Sequence, residues 1–353
     1  MNDVKPKHKA VLIGCGRIST NHLRAIADNA RRCELVGVCD IIEERAVEAS
    51  RSAGGVPWFT DIGAMLEKTK ADLAIIGTPS GMHSRHTAVC ARAGLHVVSE
   101  KPMAITLQSA DEMIRACDDA GVKLFVIKQN RLNRTVQLLK RAVDKGRFGR
   151  IYFAQVNVFW TRPQEYYDQA KWRGTWEQDG GAFMNQASHY VDMMHWLIGE
   201  VDSVQAATAT LARKIETEDT GAAVLRFRNG AVGSINVTML THPKNLEGSF
   251  TILGETGTVK LGGPALNEVS AWEFATYDDD DKEVAAADYA LPPGPGAVYG
   301  FGHSNYLHNV LDALDGNDDT PTDGRGGRKS LELILAIYQS ARDHTTVSLP
   351  LKL

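Results

Sequence analysis

Three side chains of this 353-residue sequence have the types and settings that proton chemistry needs. Lys101 stands in Glu100-Lys101-Pro102, directly after the apolar run His96–Ser99. Asn185 and His189 lie in the string Gly180-Gly181-Ala182-Phe183-Met184-Asn185-Gln186-Ala187-Ser188-His189. An imidazole titrates at about 6.5 and is the side chain suited to accept a proton at neutral pH. An ammonium held beside a hydroxyl donates a hydrogen bond that lowers the cost of a developing alkoxide. An amide such as Asn185 can orient a hydroxyl but cannot serve as a base. The four-residue spacing predicts that Asn185 and His189 share one face of a helix starting near Asn185, and the paired glycines let the chain approach a ligand closely. Taken alone, Lys101 reads as a solvated lysine and His189 as a packed core histidine. The paired glycines before His189 tilt it toward function, and the place of Lys101 at the carboxyl end of a parallel strand turns it toward a ligand.

A glycine loop, Gly14-Cys15-Gly16-Arg17-Ile18-Ser19, is entered from the apolar run Ala10–Ile13 and followed by a helix candidate through His22, Ile26 and Ala30. Strand, glycine turn and helix in this order cradle a dinucleotide pyrophosphate. Gly14 makes the tight turn, Gly16 lets backbone approach the phosphates, Arg17 and Ile18 complete the cofactor-binding loop, and Ser19 stands where a third glycine is usual. Asp40 closes the next apolar run, 21 residues beyond Ser19. A carboxylate there accepts hydrogen bonds from ribose hydroxyls and repels a 2′-phosphate. Ile41 and Ile42 offer that phosphate no cation, so the expected cofactor is NAD. Cys15 reads as a small packing residue rather than an activated thiol.

The elements that must position these groups fall into two halves. Up to about Ile127, short apolar runs (Ala10–Ile13, Leu35–Cys39, Leu73–Gly77, His96–Ser99, Leu124–Ile127) alternate with helical segments such as Met82–Ala93 and Leu107–Ala120. This alternation predicts an α/β domain, a Rossmann-type doubly wound parallel sheet, over residues 1–128. Beyond a helix at Asn133–Lys145 the period becomes two, with Ala223, Leu225 and Phe227 on one face and then Ile235, Val237 and Met239. Asn229-Gly230 between them signals a two-residue hairpin of type I′. With further strands at Ile151–Trp160, Val201–Leu211, Ser249–Leu253 and Thr258–Leu261, residues 129–353 are expected to form an α+β domain on an open, mainly antiparallel sheet. Tyr277–Pro295, with four consecutive aspartates, reads as an exposed loop. Leu331, Ile334, Leu335 and Tyr338 mark an amphipathic helix, free to pack back toward the first domain.

Composition narrows the function. With 39 basic against 43 acidic residues and a net charge of -4, the chain has no basic surplus for nucleic acid or an anionic membrane. No apolar run reaches about 18 residues, and no signal peptide opens the sequence, so a cytoplasmic location is expected. The five cysteines form no Cys-x-x-Cys pair and read as reduced packing residues; no metal site is expected.

Together the motifs resemble the Gfo/Idh/MocA family of sugar oxidoreductases over nearly the whole chain. Glu100-Lys101-Pro102, Gly180-Gly181 and His189 match the family pattern, while Asn185 replaces its usual aspartate. Val126-Ile127-Lys128-Gln129-Asn130-Arg131 and Phe159-Trp160-Thr161-Arg162-Pro163-Gln164-Glu165-Tyr166-Tyr167, with the 180–189 string, resemble a narrower group, the WlbA-type UDP-N-acetylglucosaminuronate 3-dehydrogenases. The resemblance implies NAD-dependent oxidation of UDP-GlcNAcA at C3 of the sugar, ahead of an aminotransferase, on the way to a diacetamido uronic acid of a surface polysaccharide. It implies Lys101 and His189 at the reacting hydroxyl, Asn185 on the sugar, and Thr78, His83, Glu100, Gln129, Trp172 and Arg173 along the cofactor. It also implies a cis Lys101-Pro102 bond and a homo-oligomer, tetramer or dimer.

His189 has the suitable intrinsic pKa for the base and Lys101 is then the cationic donor; the roles exchange if desolvation leaves Lys101 neutral. For a substrate with two phosphates and a carboxylate, Arg131, Arg162, Lys171 and Arg173 are the candidate cations beside Trp160, with Tyr299 and His303 closing the site. Two rival readings stay open. A dehydrogenase of a free sugar or inositol needs fewer cations and usually keeps an aspartate at 185. An NAD-binding sugar sensor without turnover has no use for a proton acceptor at 189.

Overall fold

The structure is a computed structural model that describes residues 6–263, 266–286, 302–317 and 322–352. Its first elements are β1 (His8–Ile13), α1 (Ser19–Asp28), β2 (Cys33–Cys39), α2 (Glu43–Ser52), β3 (Trp58–Phe59), α3 (Ile62–Thr69), β4 (Leu73–Ile76), α4 (His83–Arg92), β5 (His96–Ser99), α5 (Leu107–Asp119) and β6 (Leu124–Val126). There follow α6 (Arg134–Asp144), β7 (Ile151–Phe159), α7 (Gln164–Asp168), α8 (Ser188–Met193), β8 (Val201–Ala209), β9 (Thr220–Phe227), β10 (Val232–Thr238), β11 (Glu247–Gly254), β12 (Gly257–Gly262) and β13 (Glu268–Phe274). Last come α9 (Asp279–Ala286), α10 (Gly302–Leu314), α11 (Gly324–Asp343) and β14 (Val347–Ser348). The chain divides into two compact units, Met1–Lys128 with His303–Arg328, and Gln129–Gly302 with Lys329–Leu353.

In the first unit the strands lie in the order β3-β2-β1-β4-β5-β6, all parallel. Helices cover both faces of such a sheet, which is why Ala10, Val11, Leu12, Ala74, Ile76, Val97 and Phe125 are wholly buried in near-continuous apolar runs. The order reverses between β1 and β4, and the carboxyl ends of strands diverge at such a point to leave a crevice. β3 is two residues long, too short for any periodicity. α10 is also absent from the sequence reading. It is held to this unit by Arg32, which pairs with Asp312 (2.7 Å) and Asp315 (2.6 Å), and by the Tyr306 hydroxyl, which donates to the Val126 carbonyl (2.6 Å).

The second unit is built on an eight-stranded sheet in the order β13-β12-β11-β7-β10-β9-β8-β14. It is antiparallel except for the pair β7 and β10. Along β7, Ala154, Val156 and Val158 are buried while their alternate neighbours are not, the pattern of a sheet with one covered face. The β9–β10 hairpin forms, but its turn is not type I′, because only Gly230 has a positive φ (+89°). Asn229 works through its side chain instead, donating to the Ile198 carbonyl (2.8 Å) and accepting the Ala231 amide (3.0 Å).

The acidic stretch after Tyr277 is not all loop, for α9 occupies 279–286. Its charges lie against the basic residues of α6 and the turn after it: Asp278 and Asp280 take Lys145 (2.7 and 2.9 Å), Asp281 takes Arg147 (2.7 Å) and Glu283 takes Arg141 (2.6 Å). Residues 287–295 lie outside the described residues. Between β8 and β9 the chain turns around Asp219, whose buried carboxylate accepts the amides of Leu211 (3.0 Å), Ala212 (2.9 Å) and Arg213 (3.0 Å). Asp219→Ala orphans these donors and is expected to cost about 3 kcal/mol in urea melts; a cost below about 1 kcal/mol counts against this account.

Candidate active site

Of the residues expected to hold a cofactor, Gly14, Gly16, Arg17, Ile18, Asp40, Thr78, His83, Glu100 and Lys101 lie in the first unit, at the carboxyl ends of β1, β2, β4 and β5, whereas Gln129, Trp172 and Arg173 belong to the second. Gly14 has φ +93°, and a Cβ there would stand 2.7 Å from the Gly77 carbonyl group, so both turn and packing demand glycine. Gly16 differs: an added Cβ meets no protein atom within 4 Å, so nothing in the chain itself requires glycine there. Arg17 and Ile18 follow in the turn before α1. Ser19 replaces the third glycine at no loss, its hydroxyl folded back onto the Gly16 carbonyl (2.6 Å). Asp40 braces the loop, with one carboxylate oxygen accepting the Cys15 amide (2.8 Å) and the other the Ile42 amide (2.9 Å). Each oxygen keeps a lone pair for a further donor. The Cys15 thiol is buried and pushed up to about 12 by that burial and by Asp40, which fits a packing role.

The loops after β4 and β5 are joined by His83. Its buried ring lies between the Thr78 carbonyl (2.8 Å) and the Pro102 carbonyl (2.9 Å), while the Thr78 hydroxyl meets His86 (3.1 Å). The Lys101-Pro102 bond is cis. Lys101 is half-buried and its amide donates to Glu100 Oε2 (3.1 Å). Glu100 Oε1 in turn accepts from His22 (3.0 Å) and His303 (3.4 Å). Burial alone would push this carboxyl up; the two imidazoles outweigh it and hold it well below the usual range. The donor atoms of His22, Glu100 and His303 lie within 4.8 Å of one another, a set able to hold a metal, although here the imidazoles serve as hydrogen-bond donors to the carboxylate. His22 and His303 were each visible in the sequence, but nothing local joined them to Glu100. Tyr299 lies outside the described residues.

The second unit brings together another set. Trp160 is buried edge-on to Tyr190. The Arg162 guanidinium lies 5.1 Å from the Trp160 ring and 5.4 Å from Tyr166; Arg173 lies 4.1 Å from Tyr166 and 5.4 Å from Trp172. Arg173 Nε is buried with no hydrogen-bond partner. Lys171 is exposed. Arg131 is bound through both arms of its fork to buried Asp192 (2.7 Å each) and stacks on Trp196. Gln129 is buried. His189 is buried in the first turn of α8, which starts only at Ser188. Asn185 precedes that helix, in the turn closed by its own amide on the Gly181 carbonyl (2.9 Å), so the shared-helix-face argument does not hold. Its side-chain amide donates to Asp179, whose other oxygen accepts the Gly174 amide (2.8 Å). Asp179, Glu218 and Tyr338 were not foreseen; the paired glycines were the one local hint of something packed close.

A model of the NAD-binding Rossmann fold of an oxidoreductase family matches residues 8–128, and a model of the family's C-terminal alpha/beta domain matches residues 140–349. The chain belongs to the Gfo/Idh/MocA oxidoreductase family. Its glycine loop, Asp40 and the room at Gly16 fit the NAD that this family's Rossmann domain takes. Among solved structures it is similar to the WlbA dehydrogenase of Bordetella pertussis in complex with NADH and UDP-GlcNAcA, at 55% identity over 99% of both chains and a TM-score of 0.94. It is similar also to the WlbA dehydrogenase of Chromobacterium violaceum with the same ligands, at 53% identity over 100% of this chain and 98% of that one, TM-score 0.92. A D-apiose dehydrogenase of Paraburkholderia graminis is 28% identical over 97% of this chain and 90% of its own length.

Because the folded-state pKa of Glu100 is depressed, its contribution to stability is present above the unfolded pKa and is lost as pH falls through the folded one. Glu100→Gln is therefore expected to lower Tm at neutral pH, with the gap to wild type narrowing below about pH 4. A gap that stays constant well below that pH contradicts the ionised cluster.

Proposed function

We propose that this chain uses NAD to oxidise the C3 hydroxyl of UDP-N-acetylglucosaminuronic acid. The observation that carries the substrate class is the guanidinium pair stacked about Tyr166: among the described residues, neither Arg162 nor Arg173 has a carboxylate partner. A nucleotide-linked uronate brings two phosphates and a carboxylate to such cations, and a free sugar brings none. Support comes from the two WlbA dehydrogenases solved with NADH and this same nucleotide sugar.

NAD, when bound, supplies the hydride acceptor. In the proposed reaction Gly14 and Gly16 admit the pyrophosphate to the start of α1, beside Arg17 and Ile18, and Asp40 accepts from ribose hydroxyls. Thr78, Glu100, Gln129 and Trp172 border the cofactor, while His83 keeps the neighbouring loops in place. As the C3–H bond breaks with its electron pair, the hydroxyl loses its proton and the carbinol becomes a ketone. His189 accepts that proton, the Lys101 ammonium donates to the same oxygen and favours the alkoxide, and Asn185 orients the sugar. Trp160, Arg162, Lys171 and Arg173 hold the anionic parts.

The ketone is a substrate for amino transfer, which suits synthesis of a diacetamido uronic acid for a surface polysaccharide in the cytoplasm. A homotetramer is proposed in preference to a dimer; Tyr152, Val224, Val232 and Leu253, exposed on the second unit's strands, support self-association.

The test mixes the purified protein with NAD and UDP-GlcNAcA, following NADH by absorbance and the 3-keto sugar by mass. Product from a free sugar alone points to the first rival reading, and product from neither points to a sensor. Lys101→Ala and His189→Ala are each expected to lower turnover by about 10²-fold or more. A near-wild-type rate removes that residue from the mechanism.

A further inference from the structure

The turn ahead of Asn185 and His189 is built around two side chains from distant parts of the second unit. The Tyr338 hydroxyl accepts the amides of Gly181 (3.2 Å) and Met184 (3.1 Å) and donates to Glu218 Oε1 (2.9 Å). The same carboxyl oxygen accepts the Phe183 amide (2.9 Å), and the Glu218 main-chain carbonyl accepts the Ala182 amide (3.3 Å). Four successive amides, 181 to 184, thus converge on one glutamate and one tyrosine. The hydroxyl's single proton and both its lone pairs are used. Glu218 Oε2 is buried without a hydrogen-bond partner, 1.6 Å from where a Cβ on Gly181 would stand. The carboxyl group therefore fills the space that the glycine leaves.

We propose that Glu218, acting with Tyr338, is a positioning residue that fixes the Gly181–Met184 turn and so aims Asn185 and His189 at the sugar hydroxyl. The inference rests on the reading of those two residues given above. Glu218 touches no reacting atom and acts through the turn alone.

Its charge state makes the idea testable. Burial pushes the carboxyl up to about 7, and the charge of Asp179 adds to the effect. The titratable groups facing it are Asp179 from the loop before the turn and Tyr338 from α11, whose hydroxyl burial holds far above the usual phenol range; Asp219 adjoins it on its own segment. A carboxylate accepts from Phe183 and Tyr338 more strongly than the carbonyl of a neutral acid does. The clamp accordingly tightens as pH rises through about 7.

Glu218→Gln keeps the Oε1 acceptor and imitates the neutral acid. The ratio of wild-type to E218Q kcat, measured with NAD and UDP-GlcNAcA, is expected to be near one at about pH 6 and to reach about fivefold at about pH 8.5, with KM for NAD unchanged. A merely structural role gives a ratio that does not move with pH, and that result overturns the proposal. A second measurement needs no substrate. In protein labelled with 15N at its ten phenylalanines, the Phe183 amide, assigned by Phe183→Leu, is expected to titrate near 7 in wild type and not in E218Q. A Phe183 amide silent over that range overturns the clamp. If wild type forms no keto product from UDP-GlcNAcA, it is the substrate reading that fails, and the Phe183 titration then decides the clamp in either direction.

Discussion

A carboxylate leaves water only where donors surround it, and each loop carrying a proposed active group in this chain is wrapped around a buried or half-buried one. Asp40 takes the amides of Cys15 and Ile42 beside the glycine turn. Glu100 takes two imidazoles and the amide of Lys101. Asp179 takes the Gly174 amide and the side chain of Asn185, and Glu218 takes the turn that follows. Most of these donors are backbone groups that no helix or strand uses. Charge thus substitutes for regular structure where the chain must remain irregular to present a side chain.

The same device accounts for the family departure at position 185. Asn185 donates its amide to Asp179, which is itself buried and tied to Gly174. An aspartate at 185 would set two carboxylates against each other at hydrogen-bond distance, and one of them would have to keep a proton. Here the amide removes that conflict and fixes which end of the side chain donates. In the proposed reaction the orienting role survives the exchange, and basicity is left to the imidazole. The neighbouring Glu218 shows the converse: buried, with one oxygen unbonded and Asp179 close, it retains its proton to about 7.

What was legible in the sequence was local. Apolar runs marked the parallel strands because both faces of that sheet are covered, and Gly14-Cys15-Gly16 with Asp40 was readable because its parts lie along one strand–turn–helix–strand unit. Gly180-Gly181 was read as room for a ligand, yet the atom nearest the space at Gly181 is the protein's own Glu218 carboxyl oxygen. The need for glycine was visible and the reason was not, since Glu218 is 35 residues from Phe183 and Tyr338 is 154 from Met184. The helix at 279–286 was hidden for a related cause: four aspartates in a row look solvated until α6 and the turn after it supply cations to three of them. Asn229-Gly230 marked a hairpin correctly but not its turn, because the side chain of Asn229 bonds across the loop.

Burial partners also sort the cations proposed for substrate binding. Arg131 is already bidentate to a buried carboxylate that Ser330 further bonds, so a phosphate could claim it only by leaving Asp192 uncompensated. Arg162 and Arg173 carry no such debt. Aromatic faces stabilise a guanidinium without neutralising it, leaving its field available to an incoming anion. An anion that displaces water from these two breaks no ion pair, whereas one that engages Arg131 must break one. In the proposed reaction it is therefore the Tyr166 stack, with no ion pair to break, that meets the charge of a nucleotide-linked uronate at least cost.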